Sequence, residues 1–291
     1  MADERTQLQV DEAGDGQRAA QASSAGQPTV GTRLTAREIY ENVRVAAEEE
    51  LKRPRLALFW SALACGLTIG FSFLAAAYLT TFVAPAWKSA ATATGYPLGF
   101  IFVVLARNQL FTENTLEPII PLLHMPNRTT LRQLLELWII VLVGNLIGTA
   151  IFGLLMARTP AVSTELREAL NAVAIEGTSG GFARVLYLAI YGGWLVALMA
   201  WLLASTQATG AQIAFVWMTT APIAAFRFRH SVAGGVEAFY GAFAGVESWG
   251  QAVFGFIVPA VIGNIIGGFL LVALLNHGQV AAERNRDQEQ S

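Results

Sequence analysis

The sequence is poor in charge and in cysteine. Only 14% of its 291 residues are charged and 54% are hydrophobic, a balance typical of integral membrane proteins. Cys65 is the single cysteine, which excludes an intrachain disulfide and a cysteine-based metal site. The net charge of -2 gives no basic excess for nucleic acid. We expect no enzyme, no metal and no cofactor, because the chain has no His-Glu-x-x-His pair and no evident nucleophile and base.

The N-terminal residues lack the basic start and the cleavage site of a secretory signal. Residues 1–34 are rich in small and polar side chains, which predicts a disordered tail. Residues 35–54 open with a capping box at Thr35 and Glu38 and predict a cytoplasmic amphipathic helix, with a partner-binding arm as the alternative. Residues 55–278 are the predicted transport domain, and residues 279–291 form a C-terminal tail.

Six stretches are apolar over about 20 residues, the length that crosses a bilayer. They are 58–83, 98–123, 134–156, 185–204, 213–243 and 253–275. Basic residues favour one side of these spans, which places both termini in the cytoplasm. The seven on the favoured side are Lys52, Arg53, Arg55, Arg128, Arg132, Arg284 and Arg286, against Lys88, Arg158, Arg167 and Arg184 on the other.

The second and fifth spans contain polar interruptions, at residues 107–115 and 227–231. Lipid offers no water to backbone groups freed from a helix, so such breaks require surrounding protein or a water-filled path. A Gly-Asn-x-x-Gly element follows each break at nearly the same spacing, which indicates repeats at about 55–158 and 180–278. Three spans per repeat make the repeats inverted, and paired broken helices in inverted repeats predict a transport site near the bilayer midplane.

His230 is the strongest candidate for function, because an imidazole within a span is costly and can exchange a proton or a hydrogen bond with a weak-acid anion. Thr112 supplies a hydroxyl at what we take to be the equivalent point of the first repeat, and the two together would clasp a small oxyanion. A structural histidine satisfied by a carbonyl is the alternative. Asn145 and Asn264 are expected to hold the broken backbones, or to form ordinary interhelical hydrogen bonds.

Three arginines within the breaks are unexpected, because a cation in lipid costs roughly 3 kcal/mol or more. Arg227 and Arg229 are predicted to place positive charge beside His230, and together with Arg107 to supply the positive potential that attracts an anion. The alternative is an internal ion pair with Glu113 or Glu117, or snorkelling of the arginines toward a water layer. The remaining pore candidates are Asn114 and Phe111, together with the apolar constriction candidates Tyr96, Phe100, Val196 and Ile223, for which plain packing is also possible.

These elements together resemble the formate/nitrite transporter family. The motifs are Leu110-Phe111-Thr112 in the second span and Phe228-Arg229-His230-Ser231 in the fifth, with the two Gly-Asn-x-x-Gly elements and Trp194 in the fourth. The resemblance implies an all-α, aquaporin-like bundle of six spans with inverted three-helix repeats and two broken helices. It also implies a homopentamer in a bacterial inner membrane, a pore in each protomer for small monovalent anions, and a cytoplasmic constriction at Phe111.

The chain departs from the family pattern at charged positions. Arg107, Gln109, Glu113 and Arg229 replace small or acidic residues, and the place of a usual vestibule lysine falls on Gly177. The particular anion therefore stays open, as does the choice between a channel and a proton-coupled carrier. The alternatives are a pore for neutral solutes and a transport-inactive scaffold or sensor.

Overall fold

The fold is built from helices joined by short turns. A computed structural model describes residues 34–289, so the predicted tail at 1–34 lies almost wholly outside the described residues. The helices are α1 (Ala36–Glu50), α2 (Arg55–Thr68), α3 (Gly70–Thr80), α4 (Lys88–Gly95), α5 (Pro97–Leu105), α6 (Ile119–His124), α7 (Arg128–Arg158), α8 (Thr164–Thr178), α9 (Phe182–Leu203), α10 (Thr209–Ala225), α11 (Ala233–Ala244), α12 (Val258–Gly268) and α13 (Leu275–Glu289). Short 3-10 turns lie at Pro85–Trp87 and Glu113–Thr115, and π-helical turns at Gln251–Ile257 and Phe269–Leu274.

Five helical stretches in the described residues are long and apolar enough to cross a membrane. They are Arg55–Thr80, Pro85–Leu105, Arg128–Arg158, Phe182–Leu203 and Gln251–Glu283. The remaining predicted span, at 213–243, is divided between α10 and α11, and neither half has the length of a crossing by itself. This division is what a break in the fifth span requires.

Two predicted boundaries are wrong. The second span begins near Pro85 rather than at residue 98, because Lys88–Gly95 forms α4 from alanine, threonine and glycine, whose weak hydropathy hides a helix. Beyond residue 275 the chain continues as α13 to residue 289.

Glycines let two helix pairs approach closely, one pair in each repeat. A Cβ added at Gly66 of α2 would overlap the backbone oxygen of Asn145 in α7. A Cβ at Gly193 of α9 would overlap the backbone oxygen of Asn264 in α12 in the same way. Small residues at such crossings are how membrane helices pack without a hydrophobic driving force. The crossings bring each asparagine to the centre of its half of the molecule.

The outer surface of the bundle is apolar. Trp60 is 59% exposed and Phe254 is 71% exposed, and further large apolar side chains along α2, α7 and α9 are also exposed. A soluble monomer rarely shows contiguous apolar surface of this extent. The exposure is appropriate for a surface covered by lipid or by neighbouring subunits.

Helix α1 packs its apolar face on the bundle. Tyr40, Val43 and Ala47 are buried along one side of the helix, as the sequence periodicity predicts. They lie against α6, α9 and α13, and the Tyr40 hydroxyl is 2.7 Å from Nδ1 of His277 in α13. Because α2 and α3 together cross the bundle, α1 lies at the opposite end from the α3–α4 turn.

Candidate functional site

Both broken helices stop in the same way. Helix α5 ends at Leu105 and helix α10 at Ala225. The arginine two residues beyond each end, Arg107 or Arg227, has a left-handed backbone, with φ of 53° and 57°. In each case the arginine N–H bonds to the carbonyl three residues back, and the N–H of Asn108 or Phe228 bonds to the carbonyl five residues back. This hydrogen-bond pattern terminates a helix and normally has glycine in the left-handed position.

Replacing Arg107 with glycine should therefore stabilise the protein. A non-glycine residue in this conformation costs roughly 1–2 kcal/mol, and part of the relief is offset by the larger entropy of an unfolded glycine. We expect a net gain of about 0.5–1 kcal/mol, measured as a rise in the denaturation midpoint of the purified protein in detergent. Arg227→Gly is the matched control and should gain less, because it also removes a salt bridge to Glu176. A lower midpoint for Arg107→Gly would contradict the expected strain.

Asn145 holds the first break in place. Its Oδ1 accepts a hydrogen bond from the N–H of Phe111 at 2.9 Å, and its Nδ2 donates to the carbonyls of Gln109 at 2.9 Å and Ala62 at 2.8 Å. The amide is fully buried. It therefore satisfies two backbone groups within the break and ties them to α2.

Asn264 does the same for the second break. Its Oδ1 accepts from the N–H of Ser231 at 2.7 Å, and its Nδ2 donates to the carbonyls of Arg229 at 3.0 Å and Ala189 at 2.7 Å. Matching the two sets of bonds makes Ser231 the counterpart of Phe111. Leu110 is then the counterpart of His230, so the expectation that Thr112 occupies the equivalent point is wrong.

Thr112 and His230 nevertheless meet across the two breaks. Thr112 Oγ1 lies 2.7 Å from His230 Nε2, and both side chains are buried, His230 with 1% exposure. The N–H of Ala233, at the start of α11, donates to His230 Nδ1 at 3.0 Å. The ring of Phe100 packs edge-on against the imidazole at 5.0 Å between centroids.

These bonds assign the proton on the ring. Because Nδ1 accepts from Ala233, the single proton of a neutral imidazole lies on Nε2 and points at Thr112 Oγ1. The hydroxyl proton of Thr112 is then free to donate elsewhere. A second proton on Nδ1 would break the bond from the N–H of Ala233 at the start of α11. Of the two roles expected from the sequence, the geometry therefore favours hydrogen bonding by His230 over proton exchange.

A cavity of about 810 Å³, which we call the vestibule, leads from the α3–α4 turn to His230. Its wall includes Tyr96 and Ile223, two of the four constriction candidates. The charged residues that line it are Lys88, Glu165, Glu168, Glu176, Arg227, Arg229 and Glu237. Carboxylates thus outnumber cations in this vestibule, contrary to the positive surroundings predicted for His230.

The three arginines do not form one inner cluster. Arg107 is exposed and makes no salt bridge within the described part of the chain. The Arg227 side chain is 60% exposed, and its Nη2 pairs with Glu176 Oε1 at 2.6 Å. Only Arg229 is buried, with 6% exposure, and its Nη2 donates to the carbonyls of Glu176 at 3.1 Å and Ser179 at 3.2 Å.

The proposed partners Glu113 and Glu117 form no salt bridge with any of these arginines in the described residues, so that alternative is wrong. Asn114 is buried, and its Nδ2 donates to Gln109 Oε1 at 2.9 Å across the first break. Trp138 Nε1 donates to the carbonyl of Asn114 at 2.8 Å. These contacts give Asn114 a place in the framework of the break.

The remaining candidates lie in the core beside the site. Phe111 is buried and its ring packs against Trp138 at 6.0 Å. Phe100 and Val196 are fully buried, and neither lines the vestibule. Phe100 therefore reaches the site through its contact with the imidazole, and Val196 belongs to the surrounding core.

Glu237 is a site residue that the sequence analysis missed. It lies on α11 with 7% exposure and interacts electrostatically with Arg229 and Tyr96. Its carboxylate fills the space that a Cβ at Gly177 of α8 would need. The sequence does contain a feature that indicates Glu237, because it is an acidic residue two helical turns beyond His230 in an otherwise apolar stretch.

At the rim of the vestibule, Glu165 lies in the first turn of α8. The pKa of its carboxyl is lowered because its own backbone N–H and the hydroxyl of Ser163 donate hydrogen bonds to the carboxylate. The rim therefore keeps a negative charge under ordinary conditions.

Comparison with known proteins agrees with this arrangement. A family model described as "Formate/nitrite transporter" matches residues 37–278. The chain is 35% identical to "Inner membrane protein YfdC" of Escherichia coli strain K12, over 83% of this chain and 78% of that protein. It is 33% identical to "Uncharacterized transporter YrhG" of Bacillus subtilis strain 168, over 81% of this chain and 90% of that protein.

A solved structure shares the fold. It is described as "Pentameric formate channel with formate bound" and superposes with a TM-score of 0.63 at 19% identity, covering 76% of this chain and 95% of that one. The prediction of an all-α, aquaporin-like bundle of six spans with two broken helices is confirmed.

Proposed function

The chain belongs to the formate/nitrite transporter family, a family of transporters rather than enzymes, and from that premise we propose that it is a membrane channel or carrier for small monovalent anions of weak acids. The observation that supports this most directly is the contact between Thr112 and His230. It places two hydrogen-bonding side chains from opposite repeats at the point where both helices are interrupted.

The path runs from the vestibule to this pair. The vestibule ends at His230, where Ile223 lines the wall and Phe100 packs edge-on against the imidazole. We expect these apolar side chains to remove water from a passing ion. The Nε2–H of His230 is directed at Thr112 Oγ1, which leaves the threonine hydroxyl proton to donate to the oxygen of an anion. Only a small anion passes so narrow a contact.

We further propose the assembly and the location. The protein forms a homopentamer in the inner membrane of a bacterium, with lipid and neighbouring subunits covering the exposed apolar residues. Both termini and α1 lie in the cytoplasm, in agreement with the basic residues near Lys52 and Arg128. The vestibule then opens on the opposite side.

Anion flux in liposomes tests the function. We expect the reconstituted protein to pass formate or nitrite, and Thr112→Val and His230→Phe to lower the flux at least about tenfold, because each removes a donor at the narrowest point. The matched control is Thr149→Val, since Thr149 is a buried threonine whose hydroxyl, among the described residues, bonds only to the carbonyl of Leu146. The control should keep its flux within about twofold.

The other functions give different results in the same vesicles. Osmotic swelling by neutral solutes without anion current would indicate a neutral pore and overturn the proposal. No flux of either kind from folded, oligomeric protein would indicate a transport-inactive scaffold or sensor. Equal flux from the Thr112 variant and the Thr149 control would show that the contact between Thr112 and His230 plays no part in transport.

A further inference from the structure

Glu237 is a buried carboxylate that lines the vestibule without a partner. The residue is 7% exposed and lies on the cavity wall together with His230. Within the described part of the chain its carboxylate makes no hydrogen bond and no salt bridge. Buried carboxylates are normally paired or hydrogen-bonded, because an isolated buried charge is costly. The carboxylate of Glu237 is therefore available to a proton or a molecule that enters the cavity.

The charged groups around Glu237 leave its carboxylate unpaired. Arg229 in the second break and Glu176 on α8 interact with it electrostatically, and so does Tyr96 just before α5. Nη2 of Arg229 already donates to backbone carbonyls at the end of α8. The other elements packed on α11 are α3, α7 and the turn at Gln251–Ile257, and α3, that turn and residues 137–157 of α7 contain no charged residue.

A second carboxylate occupies the matching position of the first repeat. The hydrogen bonds of the two asparagines identify Ser231 and Phe111 as counterparts. Glu237 lies six residues beyond Ser231, and Glu117 lies six residues beyond Phe111. Because the repeats are inverted, equivalent positions lie on opposite sides of the breaks. The chain thus carries one such carboxylate on each side of the site.

Glu117 lies toward the end of the bundle that carries α1. It is partly buried two residues before α6, and within the described residues its carboxylate also makes no hydrogen bond and no salt bridge. The charged groups that interact with it are Glu50 at the end of α1 and Glu113 in the first break. Since α1 lies at the opposite end from the α3–α4 turn, Glu117 and the vestibule are on different sides of the molecule.

The contact between the two breaks favours a neutral molecule over an ion. Phe100 packs on the imidazole of His230, and Val196 and Ile223 are buried nearby in the same core. An ion without hydration in apolar surroundings is costly, whereas a neutral acid still accepts a hydrogen bond from Thr112. His230 is engaged at both ring nitrogens, so the proton for such an acid has to come from another group.

We propose that Glu237 and Glu117 are the proton-exchanging residues of a carrier that moves a weak-acid anion together with one proton. In the vestibule the O–H bond of the Glu237 carboxyl breaks and its proton bonds to an oxygen of the anion, after which hydronium from the vestibule water restores the proton. The neutral acid passes between Thr112 and His230. On the other side the Glu117 carboxylate takes the proton from the acid and releases it to water, and the anion leaves.

This inference rests on the proposed function and names the residues that couple it to protons. Carboxylates within membrane spans are typical members of proton relays. The anion and its proton cross in the same direction, so transport carries no net charge. A simple anion channel would carry a current instead.

Formate uptake into liposomes with an entrapped pH-sensitive dye tests the coupling. The wild-type protein should acidify the lumen as formate enters, and an imposed membrane potential should leave the rate unchanged. Glu237→Gln and Glu117→Gln keep the side-chain shape but exchange no proton, so each should lower the rate near neutral pH at least about tenfold. In acidic medium formic acid already carries the proton, so the deficit of both variants should shrink to less than about twofold.

Glu168→Gln is the matched control. Glu168 also lines the vestibule but is exposed, and its replacement should change the rate less than about twofold at either pH. If Glu237→Gln does not fold, Glu237→Asp keeps an exchangeable proton on a shorter side chain. The aspartate variant should keep proton-coupled uptake within about threefold of the wild-type rate.

Several results would overturn the proton coupling. Wild-type formate uptake that carries a current without acidifying the lumen would do so and would leave the proposed function standing. A deficit of folded Glu237→Gln that is equally large in neutral and acidic medium would show a structural role only, and an equal deficit in Glu168→Gln would remove the special place of Glu237. A wild-type protein that takes up neither formate nor nitrite at any pH would instead overturn the proposed function itself.

Discussion

Replacing Asn264 with leucine is expected to prevent accumulation of the folded protein. Leucine has nearly the same size but makes none of the three hydrogen bonds of the amide, which leaves the N–H of Ser231 and the carbonyls of Arg229 and Ala189 without that partner. Each buried polar group left unsatisfied costs about 1–3 kcal/mol. The sum approaches the total stability of about 5–15 kcal/mol that is usual for a folded protein.

The measurement is size-exclusion chromatography and thermal unfolding of the detergent-solubilised protein. Asn145→Leu should have an equally large effect, because its amide makes the equivalent bonds. Asn171→Leu is the control, since its Oδ1 accepts one hydrogen bond from the Tyr240 hydroxyl, worth about 1 kcal/mol. A monodisperse Asn264→Leu protein that unfolds at the wild-type temperature would show that the break does not depend on the amide.

Adding one methyl group at Gly193 is expected to have the second-largest effect. A Cβ there would overlap the backbone oxygen of Asn264, so α9 and α12 would have to separate. Overpacking usually costs about 1–3 kcal/mol, and here it also displaces the residue that holds the break. We expect a clear fall in the unfolding temperature of Gly193→Ala together with a loss of anion flux.

Variants at two other glycines serve as comparisons for Gly193→Ala. Gly66→Ala should be equally harmful, because its Cβ would overlap the backbone oxygen of Asn145 in the first repeat. Gly210→Ala should be neutral or slightly stabilising, since it lies in the first turn of α10 and a Cβ there would meet no described atom within 4 Å beyond the neighbouring backbone of its own helix. Equal unfolding temperatures for the Gly193 and Gly210 variants would show that the helix pair yields without cost.

The helix breaks and their supports could be predicted from the sequence because they violate local rules. Polar residues such as Thr112 and His230 within apolar stretches are visible without any coordinates. In a Gly-Asn-x-x-Gly element the glycines let the helix approach a neighbouring helix, and the asparagine lies next to them. The role of the asparagine amide therefore follows from the small size of the glycines and its own polarity. These features depend on residue type and spacing alone.

Features that depend on side-chain direction could not be predicted in the same way. Charge alone placed Arg227 beside His230, whereas the left-handed backbone at this residue turns its side chain toward Glu176. The sequence alone aligns Thr112 with His230, because both are polar residues within a break. The hydrogen bonds of the two asparagines instead align Leu110 with His230. Helix α4 was missed because alanine and threonine contribute little hydropathy.

The two breaks have matching backbones but carry different side chains. Two identical halves would set the same side chain at both central positions, and the route would read the same from either end. Here one half offers the leucine of residue 110 and the other an imidazole at residue 230, and the vestibule, in which carboxylates outnumber cations, leads to that imidazole. The two repeats thus share a backbone arrangement but carry different side chains. An ion travelling inward and an ion travelling outward therefore meet the same groups in opposite order.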